Sequence, residues 1–173
     1  LSQAGNPDMR QVEIPPLGLV GDLVVPKNPR GIVLFAHGSG SSRRSPRNTF
    51  VASKLNEKGF ATLLFDLLTP AEGHNRRNVF DIPLLAERVV EACMWISSEP
   101  DIADLPLGIF GASTGAGAAL TAAADLKGRV AAVVSRGGRP DLAGRSLPSV
   151  LAPTLLIVGS LDLDVIDLNE TAL

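Results

Sequence analysis

Tyrosine is absent from this 173-residue chain, cysteine occurs once, histidine twice, and aromatic residues make up only 4%. A single cysteine excludes an internal disulfide and any cysteine-based metal site, and nothing in the sequence calls for a metal or a cofactor. No apolar run approaches the roughly 18 residues of a membrane span, and no secretory leader is legible. A cytoplasmic protein without membrane contact is the expectation. The formal net charge of −2 gives no electrostatic case for nucleic acid. What is present is a chain 45% hydrophobic and 20% charged, enough for one domain with a real core. Residues 1–173 read as that domain, with 1–10 as a loose polar tail. The one cysteine lies in Leu85-x-x-x-Val89-x-x-x-Cys93-x-x-Ile96, the apolar face of a helix, and reads as core.

Apolar strands and amphipathic stretches alternate through most of the chain. Residues 12–14 and 19–25 look like an antiparallel hairpin at a sheet edge. Residues 31–36 are a continuous apolar strand, as expected where both faces of a parallel sheet are covered. Residues 60–68, 105–110, 129–134 and 154–158 read as further strands. Helices are predicted over 46–58, with Phe50, Val51 and Leu55 sharing a face, over 82–96, over the Ala-rich 116–124, and from 165 onward. Residues 69–78 and 135–148 read as loops. The pattern argues an α/β fold: a mostly parallel, twisted sheet with right-handed crossovers and helices on both faces.

The stretch Ile109-Phe110-Gly111-Ala112-Ser113-Thr114-Gly115-Ala116-Gly117 carries the chemistry. A strand ends, small residues follow, and a helix begins. A serine at the apex of such a turn is held in a strained conformation with its hydroxyl exposed. A Cβ at Gly111 or Gly115 would collide with the neighbouring strand or helix. A serine hydroxyl is a weak nucleophile and needs a base. Acyl transfer also puts negative charge on the carbonyl oxygen, where backbone N–H groups must already point. Thr114 would supply one donor. The loop His37-Gly38-Ser39-Gly40 would supply the other through Ser39, with Gly38 and Gly40 letting the backbone approach closely. Asp162, in Gly159-x-x-Asp162-x-x-Val165, stands just past a strand end, where an acid would orient the base. All three features lie at carboxyl ends of strands, where open α/β sheets build their sites. Arginines follow the same strand ends. Arg76, Arg136 and Arg139 would give a positive rim favouring anionic substrates; the plainer reading is solvated loop arginines.

Gly111, Gly115 and Gly117 also make G-x-x-x-G-x-G, a turn that cradles a dinucleotide pyrophosphate in short-chain dehydrogenases. That reading needs the turn after the first strand and a catalytic Tyr-x-x-x-Lys pair. Here more than one strand–helix unit precedes the turn and there is no tyrosine. Arg136 leaves a remote NADP-binding alternative.

From about residue 31 onward the ordered motifs resemble the α/β-hydrolase superfamily, most closely its dienelactone-hydrolase-like branch. The resemblance implies Ser113 as nucleophile, Asp162 as triad acid, Thr114 and Ser39 as oxyanion donors, and His37 as a structural residue. Dienelactone hydrolase uses a cysteine nucleophile. Serine here points instead to an esterase-like enzyme acting on a small ester, lactone or related acyl substrate. Residues 76–81 and 135–140 are also similar to small hydrolases sometimes attached to phosphoribosyltransferases. In the family the catalytic histidine follows the acid, after one more strand, whereas His37 and His74 both precede the serine. A C-terminally truncated hydrolase is therefore expected. Its exposed sheet edge would favour a homodimer, and a non-catalytic ligand- or partner-binding relative is the alternative.

Overall fold

The computed structural model describes residues 9–173. Met9–Ile14 (β1) and Leu19–Val24 (β2) pair antiparallel as a hairpin, and β2 pairs antiparallel with Ala61–Phe65 (β4). Ile32–Ala36 (β3), Leu107–Ala112 (β5), Ala132–Arg136 (β6) and Thr154–Ile157 (β7) join β4 in a parallel array. The spatial order is β1-β2-β4-β3-β5-β6-β7. All five residues of β4 are buried, which explains the lack of polar alternation along it.

The helices are Pro46–Glu57 (α1), Pro70–Gly73 (α2), Arg76–Val79 (α3), Ile82–Ser98 (α4), Thr114–Asp125 (α5) and Leu163–Thr171 (α6). α1 covers one face of the sheet, where Ala52, Val51 and Leu55 pack against Phe35, Leu64 and Phe110. α4 and α5 cover the other face over Leu34, Leu63, Phe65 and Ile109. Five alanines of α5 (Ala116, Ala118, Ala119, Ala122 and Ala123) are at most 2% exposed. Their small side chains bring the helix backbone close to the sheet. Cys93 sits in this core as expected, and burial pushes its thiol up to about 12.

Several expectations need correction. The sequence predicts a polar tail over 1–10, but Met9 and Arg10 already pair with Val24 and Leu23; residues 1–8 lie outside the described residues. Residues 69–78 are not a plain loop. Thr69 caps α2 through Glu72 N–H, and the Glu72 carboxylate returns to Thr69 N–H, a reciprocal capping box. A run of 3-10 turns broken at Gly144 occupies Pro140–Ser149. Phe50 does not share the buried face of α1: it is 63% exposed, and Ala52 takes the inner position. β5 and β6 are displaced toward the C-terminus from the predicted 105–110 and 129–134, because their pairing starts at Gly108 opposite Ala132 and runs to Ala112 opposite Arg136.

At the far edge, Leu155 and Ile157 of β7 are 56% and 45% exposed. Among the described residues no helix is long and apolar enough to cross a membrane.

Candidate active site

Five strand ends meet at one side of the sheet. Ser113 follows β5 with φ 53° and ψ −126°, a region that disfavours any residue with a Cβ. The surroundings hold it there. The Ser113 carbonyl accepts from Ala116 N–H at 3.1 Å and from Arg139 N–H, in the loop after β6, at 3.0 Å. A Cβ on Gly111 would lie 2.8 Å from Ala116 N, and one on Gly115 would press on the carbonyls of Ala36 and His37. These glycines are therefore closed against protein backbone.

The loop after β3 lies directly beside the serine: a Cβ at Gly38 would stand 2.9 Å from Ser113 Cβ. Ser39 N–H donates to Thr114 Oγ1 at 3.0 Å, joining this loop to the first residue of α5. Thr114 N–H, in the first helical turn, has no intrahelical acceptor. Sequence reasoning assigned both N–H groups to the same task but missed the threonine hydroxyl between them.

Two cross-links pin the loop to the end of β4. His37 Nδ1 donates to Gly38 O at 2.9 Å, while its Nε2 accepts Leu67 N–H at 3.1 Å. That pair of roles fixes a neutral ring. Burial pulls the His37 pKa below its ordinary value, outweighing the Gly38 hydrogen bond and the charge of Asp66. Arg43 N–H and Nη1 donate to the two oxygens of Asp66 at 2.8 and 2.6 Å, and Arg43 Nε stands 3.2 Å from Asp22. A cleft of about 260 Å³ opens between these loops, lined by residues 37–42, Leu67, Leu68, Val79, Leu85 and Thr114 among others.

The remaining predicted residues fall elsewhere. Gly40, at φ 69°, forms the exposed tip of the loop. Asp162 precedes α6, exposed, and its carboxylate makes no hydrogen bond or ion pair among the described residues. Neither histidine is near enough to contact it: His37 is engaged as above, and His74 ends α2. Arg139 grips Asp141 through two hydrogen bonds of 2.9 and 2.8 Å, Arg76 lies over Phe80, and Arg136 reaches Asn48. The three arginines thus turn to different partners.

A strained serine between a parallel strand and a helix, facing a glycine loop from the neighbouring strand, defines the α/β-hydrolase class. The family model described as "Alpha/beta hydrolase domain" matches residues 29–162, and the chain belongs to that family. Within it the chain is dienelactone-hydrolase-like. A crystal structure of dienelactone hydrolase from Anabaena variabilis is 55% identical, with a TM-score of 0.92 over 99% of this chain and 81% of that one. A dienelactone hydrolase-like promiscuous phosphotriesterase from metagenomic libraries shares the fold at 17% identity (TM-score 0.76, 97% of this chain, 77% of that one). A Mycobacterium tuberculosis protein named "Putative phosphoribosyl transferase" is 60% identical over 99% of this chain. The chain spans only 40% of that relative's length.

Proposed function

We propose that the chain is the serine-hydrolase part of an enzyme acting on a small ester, lactone or related acyl substrate. The observation that carries this reading is Ser113, held at φ 53° beside Gly38, whose loop lines the cleft together with Thr114. Its Oγ attacks the substrate carbonyl as a base takes the hydroxyl proton, and a tetrahedral oxyanion forms. Thr114 N–H and Ser39 N–H receive that charge. Ser39 N–H rests on Thr114 Oγ1 in the unliganded chain, so the incoming oxygen replaces the threonine hydroxyl as its acceptor. Collapse of the intermediate breaks the acyl C–O bond as the base returns its proton to the leaving alcohol oxygen, and water then releases the acyl group by the same steps.

The base is neither His37 nor His74. We assign it to a histidine outside these 173 residues, with Asp162 as the acid that orients it. The unpartnered carboxylate of Asp162, the open edge of β7 and the greater length of the relatives support this assignment. The relative named as a phosphoribosyl transferase shares with this chain only the hydrolase-like part, so we place acyl rather than phosphoribosyl transfer here.

A fluorophosphonate probe tests the reading, because it reacts only with an activated hydroxyl. In a protein extended through the proposed histidine, Ser113 is labelled and the Ser113→Ala variant is not. The 173-residue chain alone labels more slowly by a factor of about 10³ or more, since only the oxyanion donors and binding remain. Absence of label on the extended protein would favour the non-catalytic, ligand-binding reading, which the empty surroundings of Asp162 also fit.

A further inference from the structure

Alternation along β6 sends Ser135 toward α5 and Arg136 toward α1, on the same face as Val134. Arg136 Nη2 donates to Asn48 Oδ1 at 3.0 Å, and Asn48 is 2% exposed in the first turn of α1. The guanidinium is therefore fixed by a neutral group. Its Nε is buried with no acceptor among the described residues. Arg47, exposed on the same turn, adds a second positive charge near enough to perturb Arg136, and neither arginine has a carboxylate within ion-pair distance among the described residues. Arg43 and Arg88 each have two, and Arg139 has one. Two unneutralised guanidinium groups repel each other, and the half-buried Arg136 also loses hydration. A bound anion relieves both costs. The pair borders an open groove of about 360 Å³ that is also lined by Pro46, Val51 and the exposed ring of Phe50.

We propose that Arg47 and Arg136 form a binding site for the oxyanion group, carboxylate or phosphate, of a small molecule whose apolar part lies on Phe50. Guanidinium forks match two oxygens of such a group. Arg136 pairs in register with Ala112, the residue before Ser113. An anion held here is thus one strand away from the elbow, on the side opposite the Leu67 cleft. As the anchor for an acidic substrate this site rests on the reading of Ser113 as the reacting serine; as an anion site it does not.

Inorganic phosphate is the first probe. At constant ionic strength it raises the melting temperature of the wild-type chain above that in chloride, because a ligand bound only to the folded state stabilises it. Arg136→Gln and Arg47→Gln each weaken the apparent Kd for phosphate by about tenfold or more, as expected for loss of charge-assisted hydrogen bonds. Arg145→Gln, on the exposed turns after β6, leaves it unchanged. Arg47 is exposed, so its variant folds even if the Arg136 variant does not. Equal melting in phosphate and chloride, or wild-type phosphate affinity in Arg47→Gln, overturns the site. The source of the natural anion is read from hydrolysis by the extended protein. If phosphate competes with an ester bearing a free carboxylate but not with its neutral methyl analogue, the group belongs to the substrate. If phosphate binds and alters neither reaction, the site serves a separate small anion. A protein with no hydrolytic activity leaves the melting measurement intact, so failure of the hydrolase reading and failure of the anion site are distinguished.

Discussion

Ser113 occupies a backbone region that costs roughly 1–3 kcal/mol for a residue with a side chain, and its glycine neighbours make that conformation sterically feasible. Their roles differ in kind. A Cβ on Gly115 meets two main-chain carbonyls that cannot swing aside, while one on Gly40 meets nothing within 4 Å but sits at φ 69°. Gly115→Ala is expected to lose stability at or above the top of the roughly 1–3 kcal/mol range for overpacking. Gly40→Ala loses about 1–2 kcal/mol from its left-handed backbone alone. Urea denaturation of both variants checks the order. His37 makes a separate, pH-dependent contribution. Its folded pKa is lowered, chiefly by burial, so the unfolded chain binds the proton first as pH falls. Stability is then fully present above the unfolded histidine value of about 6.5 and is lost progressively below it. Protonated Nε2 would also face the Leu67 N–H, donor against donor. Denaturation midpoints measured from pH 8 to pH 5 should fall for the wild type and flatten for His37→Gln. An equal slope in both would show that the ring is not the titrating group. The elbow glycines were legible in the sequence as a local motif, whereas His37 was placed only through the family resemblance, its bond to Leu67 spanning 30 residues. The Ser39–Thr114 hydrogen bond joins residues 75 apart, and no local pattern encodes it.

At the level of elements, the loop after β3 is fastened to the end of β4 by Arg43 and His37, and the loop after β4 is fastened in turn. Arg88 of α4, 8% exposed, reaches Glu72 in the capping box of α2. The Glu72 carboxyl is held below its usual range first by the Thr69 N–H and then by Arg88. The walls of the cleft are thus built by side chains that bridge loops. Arg43→Gln is expected to cost about 1–3 kcal/mol, the range for hydrogen bonds to charged groups, with partial exposure of the pair keeping it below the buried limit. Asp66→Asn should cost a similar amount, and the double variant little more than the costlier single, because both remove the Arg43–Asp66 ion pair. Additive losses in a double-mutant cycle would show that the two residues act separately. The parallel strands were readable from continuous apolar runs, but their ends were not. β6 extends to Arg136 because Ala112 pairs with it, a fact of the neighbouring strand. α2 was missed although Thr69-Pro70-Ala71-Glu72 contains a capping signature; one helical turn gives no periodicity to detect. The orientation of α1 was misjudged at Phe50 because its amphipathic face is weakly marked, and contact with the sheet selects Ala52 instead.

Over the whole molecule, coverage of the sheet is uneven. Its centre, at β3, β4 and β5, is closed on both faces by helices. The first edge ends in a hairpin whose outer strand, β1, is mostly exposed. The other edge is β7, four residues long, with exposed Leu155 and Ile157 and with Leu151, Leu161 and Leu163 exposed around it. A strand edge with free N–H and C=O groups beside an apolar surface is a template for another strand. The proposed catalytic base would arrive on the same side, since Asp162 follows β7. One surface therefore has two candidate occupants: a further strand of the same protein, or the β7 edge of a second copy. The 173-residue chain is expected to self-associate with rising concentration in sedimentation velocity. Replacing Leu155 and Ile157 by Lys should keep it monomeric, because charge on the edge opposes strand addition and the apolar contact is lost. A protein extended by the proposed strand should sediment as a monomer without these changes, its edge already occupied. Association that persists in the Lys variant would move the interface to another surface, whereas association of the extended protein but not of its Lys variant would show that β7 remains open to a second copy.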